Sequence, residues 1–540
     1  MGDRRFVRAF LITVIVLGIG LRFFELDRKL LWHDEVYTQF RAAGFTRKQI
    51  DQQLFQNRLV TPQELQSFLQ LKPNSTEQDT IASLIQEDPQ HPPLYFLMAR
   101  SWLEWFGGSI ATARLLPALL SLLTLALMFG WAWELFTSEL EVDLIGLLAM
   151  AFVAISPFDL LFAQTARQYS LLTATVVGSN YLLIRSLRWG IWQNWLLYLS
   201  SITLGLYTHP FFSLTLIAQG AFMVWRTPKQ GWKTFGAAIA GALLLYSPWL
   251  LVLALKSQQA LATTDWARIT VGLDYLAKLW LLSFTAIFLD LDFGFNNPWT
   301  FISRMPYLIL ILVSFYSLVR RSDRSTWQFL ITSWLVPFAL LAIPDLLLGG
   351  KRSAVSRYLI SALPAVQLAI AYFLITWQPN LVALAQPQLH WWQQLWLNSW
   401  RLKTWILSIM ITGAVVSCIV SAFAQTWWSK DLSYHNALTA QQIPPEAIVI
   451  SDRGEDFTNT GDLISLSFLV PGNTKFYLTK EPIKLAAIAS SDPTKLYLFR
   501  PTPALRQAVE QQFGTLERVI LEERLWRVKP NLFSHSPQKA

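Results

Sequence analysis

FVRAFLITVIVLGIGLRFF, residues 6–24, decides the class of this chain. Its only polar residues are Arg8, Thr13 and Arg22, and about 20 such residues cross a hydrocarbon core as a helix. Apolar runs of this kind recur as far as Ala424. The charge deficit follows from them: 53% of the 540 residues are hydrophobic and 15% charged, where a soluble domain carries about 25% charged residues. The 25 Trp suit a chain that meets the membrane interface many times. The pattern predicts a polytopic α-helical membrane protein. Met1-Gly2-Asp3-Arg4-Arg5 gives a basic start, and Leu21-Arg22-Phe23-Phe24-Glu25 offers no small-residue cleavage site, so residues 6–24 read as an uncleaved first span.

The net charge of +9 does not point to nucleic acid. Lys and Arg sit in short clusters between apolar runs, as orientation signals do. Placing the clusters at 185–188, 226–233, 320–324 and 401–403 on the cytoplasmic side, with the N-terminus, orients every other segment. The spans then fall near 7–24, 113–136, 145–162, 168–185, 194–208, 211–225, 236–256, 304–320, 327–345, 358–376 and 404–424, about eleven crossings with the C-terminus outside. The segments 92–106 and 275–289 are apolar but would invert the basic loops if they crossed, so they are expected to lie in the interface. Two external loops result, 25–112 and 257–303. Thr61-Pro62-Gln63-Glu64 reads as a helix start inside the first, and the Pro-Gln-rich stretch 378–390 as a cytoplasmic connection. The membrane domain is thus 1–424.

After Ala424 the composition changes. Residues 447–451, 475–478 and 495–499 have the short β-branched and aromatic runs of strands, 504–513 has helical spacing, and 516–528 suits a final hairpin. Residues 425–540 read as a small extracytoplasmic α/β domain. The single cysteine, Cys418, lies in an apolar span and allows no intramolecular disulfide.

The charged residues have a vertical order. In this topology the span middles are nearly free of charge, and the polar chemistry collects at the outer interface, the level of a lipid headgroup. Asp34 and Glu35, in Leu31-Trp32-His33-Asp34-Glu35-Val36-Tyr37-Thr38, are either solvated loop charge or, with Trp32, Val36 and Tyr37 around them, a part-buried pair able to serve as general base or metal ligand. His91 stands before Pro92-Pro93, where it either sets a helix entry or reaches a phosphate or metal. Arg167 occupies a tight outer turn with Tyr169; it either snorkels to lipid or grips a phosphate with both arms. His209 occupies another outer turn, as a structural group or a ligand. Lys351, Arg352 and Arg357, beside Tyr358, lie outside against the inside preference of basic residues, which favours an anion site.

WHDE (32–35), HPPLYF (91–96), ARQYSLL (166–172), YTHPFF (207–212) and SRYLISALPA (356–365), in that order, resemble the GT-C superfamily of membrane glycosyltransferases over about residues 1–380. The nearest type is family 39, which includes protein O-mannosyltransferases and the aminoarabinose transferase acting on lipid A. The resemblance implies a polyprenyl-phosphate-linked sugar as donor, transfer outside the cytoplasm, and a lipid, glycan or protein acceptor. It implies Asp34 as the catalytic acid–base residue supported by Glu35, with Arg167, Tyr169, Arg352 and Arg357 on the donor phosphate and His91 lining the site. The aminoarabinose type has Glu-Lys before its Pro-Pro where this chain has Gln90-His91, which leaves a divalent metal and that particular substrate unassigned. The setting implied is the plasma membrane of a bacterium. Two rivals stand beside transfer: a flippase for a lipid-linked glycan, which would make no bond, and an assembly protein working through its C-terminal domain.

Overall fold

The computed structural model describes residues 4–226, 229–377, 399–455, 458–520 and 524–530; the connection expected at 378–390 lies outside them. The chain forms two compact units. One comprises residues 1–26, 88–95 and 114–423, the other 27–87, 96–113 and 424–540.

The first unit is a helical membrane fold. Among the described residues, six helical segments are long and apolar enough to cross a membrane, and a seventh if Val142–Ile155 and Pro157–Ala163, bent by 59° at Ser156, count as one span. The bend follows from Pro157, which has no N–H for the carbonyl one turn back. Arg22 answers that loss: buried, it donates to the carbonyls of Val153 (2.7 Å) and Ala154 and to Ser121 Oγ (3.1 Å).

The segments expected to cross at 168–185 and 194–208 are helical, as Tyr169–Trp189 and Trp192–Thr208, but do not reach the same apolarity. Their polar side chains face neighbouring helices. Gln219, on Phe212–Trp225, accepts from Tyr198 Oη (2.7 Å) and donates to Asn180 Oδ1 (2.8 Å) and Ser179 Oγ (3.2 Å). Such a satisfied group joins helices where the alternative is an unpaired polar group in lipid.

The second unit is built on a six-stranded sheet: β1 (Arg58–Val60), β2 (Ile448–Ser451), β3 (Lys475–Leu478), β4 (Leu496–Phe499), β5 (Gly514–Arg518) and β6 (Leu525–Pro530), in the order β1-β3-β2-β4-β6-β5. The central β3-β2-β4 is parallel and the outer pairings are antiparallel. All four residues of β4 are buried, because both faces of the sheet are covered. Ile450, Leu496 and Leu498 pack under the helix Pro503–Phe513 through Leu505 and Val509. Val449, Phe476 and Phe499 pack against Phe40, Leu54 and Phe55.

Those last three residues extend the domain expected at 425–540. The polar insert of the first loop, about residues 41–90, belongs to the same unit because it adds residues such as Leu54 and Phe55 to that core and one strand to the sheet: β1 joins the sheet edge with Arg58 opposite Leu478 and Val60 opposite Phe476. The helix Leu94–Phe106 is tied to this insert as well. Arg100, expected at a lipid interface, is buried and donates to the Ser75 carbonyl at 2.7 Å.

Candidate active site

In the first unit the turns between helices assemble one continuous cluster. Arg167, buried in the turn before the helix Tyr169–Trp189, has Nη2 3.3 Å from His91 Nε2. A guanidinium only donates, so Nε2 accepts. The other ring nitrogen, Nδ1, stands 3.0 Å from the Asp88 carboxylate. Arg167 also lies over the Tyr169 ring at 5.8 Å, and His209 meets both the His91 ring (6.0 Å) and the Tyr169 ring (6.2 Å).

His209 ends the helix Trp192–Thr208 in extended backbone, and its Nδ1 accepts the Phe211 N–H at 3.1 Å. That bond leaves the ring proton on Nε2, as a donor. Burial, reinforced by His91, Arg167 and Arg357, holds its pKa well below the ordinary 6.5, so the imidazole is neutral at physiological pH. The His209 ring stacks on Phe211 at 5.2 Å, and Phe211 meets Tyr358 at 4.2 Å. Beyond Tyr358, Lys351 (5.4 Å) and Arg357 (5.9 Å) both lie over the Trp266 ring. His91, Arg167, Tyr169, His209, Lys351, Arg357 and Tyr358, expected from four separate stretches, thus share one surface. Trp266 and Asp88 are additions that nothing in the sequence marked.

Arg352 has a different employment. It donates to Asp345 Oδ1 at 3.0 Å, while Asp345 Oδ2 accepts from the backbone N–H (2.6 Å) and hydroxyl (2.8 Å) of Ser353. The turn closes through Gly350, whose φ is +137°; a Cβ there would lie 2.5 Å from Asp345 Oδ1. Arg352 therefore fixes the loop that presents Lys351 and Arg357.

The acidic pair lies in the second unit, in the first turn of the helix His33–Ala42. Its two members part company. Glu35 is fully buried; its carboxylate accepts the Trp32 N–H at 3.0 Å and the Lys430 ammonium at 2.7 Å. Asp34 is half-buried, and its carbonyl accepts from Thr38 Oγ1 at 2.9 Å. Among the described residues no group of three or more His, Cys, Asp or Glu is placed to hold a metal ion, so no metal ligand set is assigned.

The comparisons with known proteins bear on this arrangement. Residues 90–252 match the family model described as dolichyl-phosphate-mannose-protein mannosyltransferase. No curated protein matches the chain by sequence. Among solved structures, the chain is similar to ArnT from Cupriavidus metallidurans bound to undecaprenyl phosphate, with a TM-score of 0.52 and 14% identity over 98% of this chain and 99% of that one. The apo state of the same protein gives 0.52 at 13% identity, over 96% and 97% of the two chains. The oligosaccharyltransferase of Archaeoglobus fulgidus gives a TM-score of 0.47 at 13% identity, over 89% of this chain and 65% of that one. At such identities the likeness to ArnT is one of fold. The chain thus shares the fold of ArnT nearly end to end, and its residues 90–252 are similar to the mannosyltransferase family.

Proposed function

We propose that the chain transfers a sugar from a polyprenyl-phosphate donor to an extracytoplasmic hydroxyl or amine carried by a lipid, a glycan or a protein. The observation that carries this reading is the cluster of Arg167, His209, Lys351 and Arg357 in the first unit. It offers fixed donors to a phosphate and aromatic faces to a sugar or prenyl chain. The undecaprenyl phosphate bound to ArnT is a ligand of the same chemical class.

In this reading Asp34 takes the proton of the acceptor hydroxyl. The acceptor oxygen attacks the anomeric carbon from the face opposite the phosphate, and the bond from that carbon to the phosphate oxygen breaks with its electron pair. Configuration inverts, and the polyprenyl phosphate departs with its charge met by Arg167, Lys351 and Arg357 and by the Nε2–H of His209. Glu35 supports Asp34 by fixing the helix it stands on. The site then faces the outside of a bacterial plasma membrane.

Lipid and glycan analysis of a deletion strain beside its parent tests the reading. Loss of one glycoconjugate, with its polyprenyl-phosphate donor accumulating, is the expected result. An unchanged set of envelope glycoconjugates would overturn it.

A further inference from the structure

The residues that hold the start of the Asp34 helix come from the far end of the sequence. Ser433 accepts the His33 N–H at 2.9 Å and donates its own proton to Asp462 Oδ1 at 2.8 Å. The same Asp462 oxygen lies 3.8 Å from His33 Nδ1, beyond hydrogen-bond distance. Asp462 Oδ2 is paired with Arg500, which also donates to Thr458 Oγ1 at 2.8 Å. Asp462 is fully buried.

Packing reinforces these bonds. Asp462 sits on the helix Asn459–Ser467, and its neighbour Gly461 presses on the acidic helix so closely that a Cβ would come within 2.7 Å of His33 Nδ1 and the Tyr37 ring. The Tyr37 ring in turn stacks on His33 at 4.5 Å. Ser465 donates to the Leu31 carbonyl at 2.5 Å, just ahead of the helix. Together with Lys430 on Glu35, Ser433 and Ser465 hold the start of the helix from residues between 430 and 465.

We propose that Asp462 is a positioning residue for Asp34, acting through Ser433 and His33 on the first turn of the helix His33–Ala42. A buried carboxylate that must be charged to hold both Ser433 and Arg500 fixes one rotamer of each. Ser433 then sets where the His33 N–H points, and hence the direction of the side chain one residue on. The C-terminal part of the chain is therefore a component of the catalytic unit. This inference rests on Asp34 being the base.

The test uses the purified full chain in nanodiscs, with Asp462→Asn, Ser433→Ala and Asp34→Asn alone and combined. Hydrogen exchange is read first: both positioning variants should speed exchange of the amides at 33–38 about tenfold, with the helices of the first unit unchanged. Turnover is then followed as undecaprenyl phosphate released from undecaprenyl-phosphate-linked mannose, glucose or aminoarabinose. Ser433→Ala and Asp462→Asn should lower kcat about tenfold to a hundredfold with the donor KM unchanged, and should cause no further loss when added to Asp34→Asn.

If Asp34→Asn turns over at the full rate, the base assignment fails, and the positioning inference with it. If Asp34→Asn is inactive while Ser433→Ala keeps both the original kcat and the original exchange rates, the positioning inference alone fails. Should Asp462→Asn not fold, the milder Ser433→Ala decides.

Discussion

The two units place similar charges side by side and treat them differently. In the second unit, Glu35 is buried on Lys430 while the adjacent Asp34 stays half-open. In the first, Arg352 is spent on Asp345 while Lys351 lies over the ring of Trp266. In each case one member of a neighbouring pair of like charges is neutralised by a built counter-charge, and it holds the backbone that presents the other. The Glu35–Lys430 pair, fully buried, costs several kcal/mol to disturb, whereas the part-exposed Arg352–Asp345 pair is held less firmly.

The largest test of that contrast compares Asp34 with Glu35. Asp34→Asn should cost about 10²- to 10⁴-fold in kcat, the range of a general base, and leave thermal stability nearly unchanged. Glu35→Gln should do the reverse. It strands the Lys430 charge and should lower stability by about 3–5 kcal/mol, measured by thermal unfolding in detergent, while the fraction that remains folded turns over. Equal effects of the two substitutions on kcat would abolish the distinction.

Arg167 comes next. Its Nη2 contact with His91 and its place over Tyr169 depend on a planar fork, so Arg167→Lys should lose about tenfold to a hundredfold in kcat/KM, as expected for one charge-assisted hydrogen bond. Donor kinetics at fixed acceptor would show it.

A smaller effect separates the cations of the turn at 351–358. Arg357→Ala should raise the donor KM and leave the loop intact. Arg352→Ala should change the KM only about threefold, because its pair with Asp345 is part-exposed and of modest strength. Titration of both variants with undecaprenyl phosphate would rank them; a larger loss at Arg352 would place it on the ligand.

The smallest effect is a pH dependence. Folding holds the pKa of His209 below its unfolded value of 6.5. As pH falls through 6.5 the unfolded chain gains a proton that the folded chain refuses, so this group favours the fold above that pH and progressively less below it. Thermal unfolding followed from pH 7.5 to 5 should show the wild type losing stability faster than His209→Asn. Parallel curves would mean that His209 is not held neutral.

What the sequence disclosed, and what it hid, follows from the reach of each interaction. The strands at 448–451, 475–478 and 496–499 were legible because β-branched and aromatic runs bounded by turn residues are local signals. β1 was not. Arg58-Leu59-Val60 is too short to show alternation, and it becomes a strand only because the β3 edge is there to receive it. The helices at 169–189, 192–208 and 212–225 were legible although Ser179, Asn180 and Gln219, which bond one another, lower apolarity locally. The residues of the cationic turns could be picked out as charge beside histidine and aromatic residues between apolar runs. The fate of Glu35 could not, because its partner stands 395 positions away. Arg352 was nearer to being readable, with Asp345 only seven residues behind it and Gly349-Gly350 between.

The most direct measurement is bond formation in proteoliposomes that contain the full chain, an undecaprenyl-phosphate-linked radiolabelled sugar and membrane lipid or protein extract as acceptor, run with the wild type and with Asp34→Asn. Transfer with Asp34 as base requires a new labelled glycoside of inverted configuration from the wild type and almost none from Asp34→Asn. Label that crosses the bilayer without entering any glycoside, or full glycoside formation by Asp34→Asn, would contradict it.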